Sequence, residues 1–332
     1  MPVYCDTSIL NEVAKCEKAA YLRYRLHKTK RGSEEAPLVC GSALHKVEEG
    51  RQRGATPAEG LATLECEYRA WAEANLPGDD VRGWANVREI VETWLTNHPI
   101  DRQMDETVEG SVERGIAAAL DEHGDFVLVG RLDKLTRDRT YGGLMVDDFK
   151  HTSSNLNGKN RDAWIKWYEM AAQGPNYCMM VEQTWQEPVI GMRWSVLSVA
   201  PLPNSNSKCK THQLKYSECR KAHLGWIQAG PRIYGEEEKA NVKRATLSLM
   251  RRWAALQTME PSEVHELGRY SGACERCQFR EFCKAGSPWD MLEAGEYVTE
   301  VWEPYKAAFE GSKAVPVAPK RELPMVEGPS LD

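Results

Sequence analysis

The pattern of apolar and polar positions divides the chain into a helical start, a stranded middle and a helical end. From Thr7 to about Leu26, Ile9, Val13, Ala20 and Leu22 recur at helical spacing, which puts them on one helix face. A second helix is expected over Leu38–Glu49. A third starts at Thr56-Pro57, with proline in its first turn. Trp71 and Trp84–Trp94 continue the helical reading. From Glu106 to Gly110 the period changes to two, as in a strand. Asp125–Arg137, DFVLVGRLDKLTR, reads as one strand with Val127, Val129, Arg131, Asp133 and Leu135 on one face. Tyr141-Gly142-Gly143 is a turn signal, and Leu144–Lys150 is the returning strand of a hairpin. A helix is expected over about 162–180 and a strand over Val189–Ala200. Two more helices are expected over 214–259, with a break near Gly230-Pro231. From about Pro304 the chain is rich in Pro, Lys and Glu and reads as a flexible tail.

The expected class is α/β, a mixed β-sheet core flanked by helices. Its parts are a helical N-terminal part (1–100), an α/β core (101–213), a helical C-terminal part (214–303) and the tail (304–332). A chain of 332 residues suffices for one large domain or two modest ones.

The hairpin carries the candidate chemistry. Alternation puts Leu144, Val146, Asp148 and Lys150 on one face, so Asp148 and Lys150 are neighbours two positions apart. Pairing about a turn at 138–143 brings Asp133 near Asp148. Two close carboxylates repel unless something positive lies between them. A divalent cation fits, since Mg²⁺ takes one or two carboxylates plus waters and phosphate oxygens. The plainer alternative is a solvated strand end with a weak ion pair. His45, in GSALHKVEE, follows the small residues Gly41, Ser42 and Ala43, which allow its helix to pack closely. Histidine is a good third ligand, particularly for Mn²⁺.

Hydrophobic content is 42% and charged content 28%, ordinary for a globular protein. The formal net charge of −6 excludes a basic nucleic-acid coat and leaves a local positive groove open. No apolar run reaches membrane-spanning length. The first residues lack a secretory signal, so a cytoplasmic location is expected. No GxxxxGK[ST] loop occurs, which argues against ATP hydrolysis by the chain itself.

Ten cysteines in a cytoplasmic chain point to metal binding, reactivity or burial rather than disulfides. Residues 274–283 read CERCQFREFC, a C-x2-C-x5-C run. Three thiolates are one short of the four that hold zinc or an iron–sulfur cluster. Cys178 and Cys219 read as buried hydrophobes. The segment YLRYRLHKTKR (21–31) interleaves aromatics with basic residues, which suits single-stranded or frayed nucleic acid. An ordinary solvated helix face is the alternative. KNRDAWIKWYEM (159–170) offers a similar mixture, with Trp164 and Trp167 either exposed or in the core.

The order G-x-x-x-H (Gly41, His45), G-x-x-D (Gly130, Asp133), D-x-K (Asp148, Lys150) and Q-x-x-x-Y (Gln173, Tyr177) resembles the PD-(D/E)XK nuclease superfamily. The resemblance is to its RecB-like branch, which includes CRISPR adaptation exonucleases and AddB-type nuclease domains, and it spans about residues 8–283. It implies a restriction-endonuclease-like fold whose N- and C-terminal helical segments join at a metal cluster. It implies that His45, Asp133, Asp148 and the Phe149 carbonyl hold Mg²⁺ or Mn²⁺, and that Lys150 positions the attacking water. Gln173 would support the lysine or the water, and Tyr177 would contact DNA or brace the site. Gly174-Pro175 interrupts the last motif, so Gln173 and Tyr177 need not align, and a core role for Tyr177 stays open. The branch also implies a 4Fe–4S cluster on Cys16, Cys274, Cys277 and Cys283, with zinc as the alternative metal and Cys5 as the alternative fourth ligand. Such a cluster would tie the two ends around the core. The activity implied is a metal-dependent DNA exonuclease or end-processing nuclease in recombination, repair or phage DNA metabolism. The alternative is a non-catalytic iron–sulfur DNA-binding scaffold. The implied partners are DNA, single-stranded or with free ends, and a second copy of the chain or a recombination protein, with no membrane.

Overall fold

The computed structural model describes residues 2–30, 35–100, 105–156, 159–266, 272–293 and 296–309. The chain begins with β1 (Val3–Cys5), α1 (Thr7–Lys15) and α2 (Glu17–Ala20), followed by a π-turn at Tyr21–Arg25 and β2 (Lys28–Lys30). Helices α3 (Glu35–Gln52), α4 (Pro57–Leu64), α5 (Ala70–Asn75) and α6 (Trp84–Asn97) come next. Then come β3 (Asp105–Thr107), β4 (Arg114–Ala119), β5 (Phe126–Leu132), β6 (Lys134–Asp138) and β7 (Gly143–Thr152). Helices α7 (Lys159–Glu169) and α8 (Gln173–Trp185) lead to β8 (Val189–Ser198), α9 (Tyr216–Cys219), β9 (Trp226–Ile233) and α10 (Glu236–Leu256). Short elements close the described chain, among them β10 (Tyr297–Thr299) and a helix at Pro304–Phe309.

The main sheet runs in the order β3-β6-β7-β8-β9. Only β7 and β8 pair in parallel in it; the other pairs are antiparallel. A parallel pair needs a crossover, and α7–α8 supply it. A second sheet, β1-β5-β4, lies beside the first. Strand β7 is buried on both faces, and Leu144, Met145 and Val146 form a continuous apolar run, as inner parallel strands require. Leu144 and Val146 join the main core with residues of α1, α8, β8 and α10. Phe149 reaches the other core, built by α3, α4 and α6, where it stacks on Trp94 at 5.5 Å.

The expected hairpin forms, with Asp138 opposite Gly143. Thr56 caps α4 and Glu59 reciprocates in a full capping box. Other expectations require correction. The single helix over 7–26 is broken at Cys16, whose φ of −163° and ψ of 115° are extended. The single strand over 125–137 is two strands in different sheets, β5 and β6, with the break at Asp133. The helix over 162–180 is also two, α7 and α8. Residues 226–233, expected as helix, are edge strand β9. A register shift at Met192–Trp194 accommodates Gly230, whose φ is +101°, and an edge tolerates proline at 231. The tail expected from Pro304 is helical to Phe309, with Ala308 buried against Val127 and Val129. Residues 310–332 lie outside the described residues. Strands β1, β2, β4 and β10 lie outside the sequence expectations.

A Cβ on Gly191 would lie 2.2 Å from the Arg232 carbonyl oxygen across the β8–β9 pair. Gly191→Ala is therefore expected to lower stability by about 1–3 kcal/mol, read as a lower urea midpoint. An unchanged midpoint would show that residues 226–233 do not pair there.

Candidate active site

Strand pairing puts Lys134 opposite Asp147, so Asp133, at the break between β5 and β6, falls beside Asp148. The Phe149 amide donates to Asp133 Oδ2 at 2.6 Å and fixes that carboxylate. The two adjacent aspartates of β7 point to opposite faces. Asp147 is held by Arg193 Nε at 2.7 Å and by the Thr136 hydroxyl at 2.7 Å, a structural arrangement. Asp148 faces inward, 4% exposed. Lys150 Nζ lies 2.8 Å from both of its oxygens.

Helix α3 brings the imidazole. A Cβ on Gly41 would lie 2.5 Å from the His151 ring, so α3 sits flush on β7 and His45, one turn later, reaches the acids. His45 Nδ1 is 3.5 Å from Asp133 Oδ1 and 3.7 Å from Glu113 Oε1. Glu113 was not singled out by sequence reasoning. It sits in a turn with φ of +54°, its amide donates to the Asp133 carbonyl at 3.0 Å, and its other oxygen meets Arg131 Nε at 2.8 Å. No periodic pattern marks such a residue, and only the fold brings it in. His45, Glu113 and Asp133 offer ligand atoms within 4.8 Å of one another. They line, with Asp148 and Phe149, a cavity of about 20 Å³, room for one ion or water.

The electrostatics follow from burial. Burial raises the Asp148 carboxyl to about 6 against the pull of Lys150. It also raises Asp133, which His45 and Lys150 oppose. At Lys150 burial disfavours the charge, but Asp148 and Asp133 outweigh it and the amine keeps its proton. At His45 the same contest is won by Asp133 and Glu113, which raise its pKa. His151, buried and facing cations, is lowered to about 4 and stays neutral.

Gln173 and Tyr177 do align. Helix α8 begins at Gln173, so Pro175 falls in its first turn, where its missing N–H has no helical partner to lose. Gln173 Nε2 donates to Asp148 Oδ1 at 3.3 Å. Tyr177 is buried, and its hydroxyl donates to the Arg131 carbonyl at 2.9 Å. A Cβ on Gly130 would lie 3.0 Å from the Tyr177 ring, which accounts for glycine in the GRLD motif.

The cysteines fall into separate places. Cys16, Cys277 and Cys283 pack in one apolar cluster with Phe279, Phe282 and Tyr297. Cys274 sits on the adjoining turn, half-buried. Strand β10 pairs with β2, so the two ends of the described chain meet there. Burial raises the Cys277 thiol and pushes Cys283 up to about 12. Cys5 belongs to the main core instead. A second set was missed: Cys209, His212, Cys219 and His223 hold ligand atoms within 4.8 Å of one another. Its signal, C-x2-H followed by C-x3-H, is in the sequence. Cys219 is buried as expected, but against His223 at 3.4 Å. Tyr21 and Tyr24 of segment 21–31 are buried in the core, so those rings are not open to bases; Arg31 lies outside the described residues. In α7, Trp164 stacks on Tyr168 at 4.0 Å, and Trp167 is 66% exposed.

No described helix is long and apolar enough to cross a membrane. No curated protein matches the chain. A solved structure described as "Crystal structure of SSO0001" aligns with a TM-score of 0.32 and 11% identity, over 86% of this chain and 87% of that one. The family model of the PD-(D/E)XK nuclease superfamily matches residues 7–284, a span that holds every residue of the acid, lysine and imidazole cluster. The chain belongs to the PD-(D/E)XK nuclease superfamily.

Proposed function

We propose that the chain is a divalent-metal-dependent deoxyribonuclease of the RecB-like branch that digests DNA from ends, in recombination, repair or phage DNA metabolism. The observation that carries this reading is the Lys150 ammonium held on buried Asp148 beside Asp133 and His45. The donor set fits Mg²⁺ or Mn²⁺: hard carboxylate oxygens and one imidazole around an ion-sized space. His45, Asp133, Asp148 and the Phe149 carbonyl would hold the ion, with Glu113, whose carboxylate lies within 4.8 Å of the His45 and Asp133 ligand atoms, as a further ligand. When bound, such an ion polarises a phosphoryl oxygen and acidifies a water.

The chain's own groups do the rest. Lys150 is charged and oriented by Asp148, so its protons are directed before substrate arrives and can hold a water or an anionic phosphate oxygen. Gln173 fixes the Asp148 oxygen that Lys150 also uses. Tyr177 braces β5 next to Asp133 from within the protein, a positioning role rather than a DNA contact. Exposed Trp167 on α7 is a surface on which an unpaired base can stack. The sulfur-only set of Cys16, Cys274, Cys277 and Cys283 at the meeting of the chain ends supports a structural 4Fe–4S cluster.

Lys150→Ala and Asp148→Asn are each expected to lower Mn²⁺-dependent cleavage of end-labelled DNA by at least about 10²-fold, with circular dichroism unchanged. Full activity in both would defeat the nuclease assignment. Linear DNA should be digested and covalently closed circles spared; cutting of circles would remove the end requirement. A second prediction concerns pH. In the metal-free chain the raised Asp148 acid contributes stability below about pH 4 that is lost as pH rises towards 6. A cation needs the ionised form, so the rise in melting temperature on adding Mn²⁺ should be small at pH 5 and large at pH 7.5. Equal shifts at both would place the ion elsewhere. A third concerns the cysteines: anaerobically purified protein should be brown and hold iron and acid-labile sulfide in equal amounts, both lost in Cys277→Ser. Finding no iron in the native chain would contradict the cluster.

A further inference from the structure

Between β8 and β9 the chain makes a long excursion with no apolar core of its own. From Asn204 to His223, the buried side chains are two cysteines, Cys209 and Cys219; Leu214 is exposed. The same stretch carries Lys208, Lys210, Lys215, Arg220 and Lys221 against one carboxylate, Glu218. Like charges without a core drive a segment open. The structure nonetheless folds it compactly. Lys208 bridges Lys215, the Cys209 amide donates to the Leu214 carbonyl at 2.7 Å, and the Gln213 amide to the Cys209 carbonyl at 2.9 Å. This tight hairpin presents Cys209 and His212. Helix α9 and the 3₁₀ turn after it, Arg220–His223, present Cys219 and His223 to the same point.

The four side chains converge as ligands do. Cys209 Sγ lies 3.4 Å from His212 Nδ1 and 3.2 Å from His223 Nε2, which is 3.4 Å from Cys219 Sγ. All four ligand atoms fall within 4.8 Å of one another. A tetrahedral Zn²⁺ with sulfur at about 2.3 Å and nitrogen at about 2.0 Å sets edges of roughly 3.3–3.8 Å. Two thiolates and two imidazoles form a closed structural set with no open position, unlike the oxygen-rich set at Asp133.

We propose that Cys209, His212, Cys219 and His223 bind one structural Zn²⁺ that folds the β8–β9 excursion. The two thiol protons leave on binding, so Zn²⁺ and two thiolates make a neutral centre, and a compact tie replaces the missing apolar core. The site lies at the end of β8, beyond the acid cluster. It is independent of the sulfur set at the chain ends and of the nuclease reading.

The test is metal analysis of the full-length chain, purified reduced and without chelator. About one zinc per chain is expected. Cys209→Ser and His223→Ala should each lose it with iron content unchanged, while Cys66→Ser, at an exposed cysteine, should keep it. Should the variants misfold, the wild-type chain decides: after its zinc is stripped, added Co²⁺ should give the intense visible absorption of tetrahedral thiolate-bound cobalt, and Zn²⁺ should bleach it. A reduced wild-type chain that holds no zinc and gives no such absorption overturns the proposal. So does zinc retained at full stoichiometry in the Cys209→Ser, Cys219→Ser double variant.

Discussion

Holding two carboxylates and an amine together away from water is the constraint around which this structure is organised. An unpaired buried carboxylate costs several kcal/mol, and the fold answers each one separately. Asp148 has Lys150 and Gln173. Asp133 has the Phe149 amide, with His45 close by. Glu113 has Arg131. Burial still raises the Asp148 and Asp133 carboxyls, and a neighbouring carboxylate, Asp133 for the one and Glu113 for the other, adds to the rise against the pull of Lys150 and His45. In the proposed reading a divalent cation offsets the charge of these carboxylates.

The rest of the molecule sets these groups in register. The chain leaves one sheet and enters another at Asp133, so the carboxylate falls at a seam rather than on a regular strand face. Glycines at 41 and 130 let α3 and Tyr177 approach the strands closely. The α7–α8 crossover required by parallel β7 and β8 returns the chain with Gln173 at a helix start, facing Asp148. The packing thus serves the site directly: the residues that make up the recognisable motifs are those at which elements touch.

Much of this was legible in the sequence, for physical reasons that also mark where legibility ends. The β6–β7 hairpin announces itself by alternation and a Tyr-Gly-Gly turn, so the adjacency of Asp148 and Lys150 on one face is readable from the sequence. The break at Asp133 was hidden because alternation continues across it and only the sheet assignment changes. Gly230-Pro231 looks like a boundary between helices, yet in an edge strand it is a bulge. Pro175 reads as an obstacle to aligning Gln173 and Tyr177, but α8 starts at Gln173 and the proline falls in its first turn. Glu113 belongs to a turn, where no period exists to read. Cys219 reads as hydrophobic filling because the histidines near it, His212 and His223, alternate with Cys209 and Cys219 instead of following as a pair.

The central claim is that one cation sits among His45, Asp133 and Asp148. Crystals of the Lys150→Ala chain soaked in Mn²⁺ and measured for anomalous scattering test it most directly. The account predicts a peak at coordination distance, about 2.0–2.3 Å, from His45 and both carboxylates. A peak at some other place, or none at this one with the acids ordered, would contradict it.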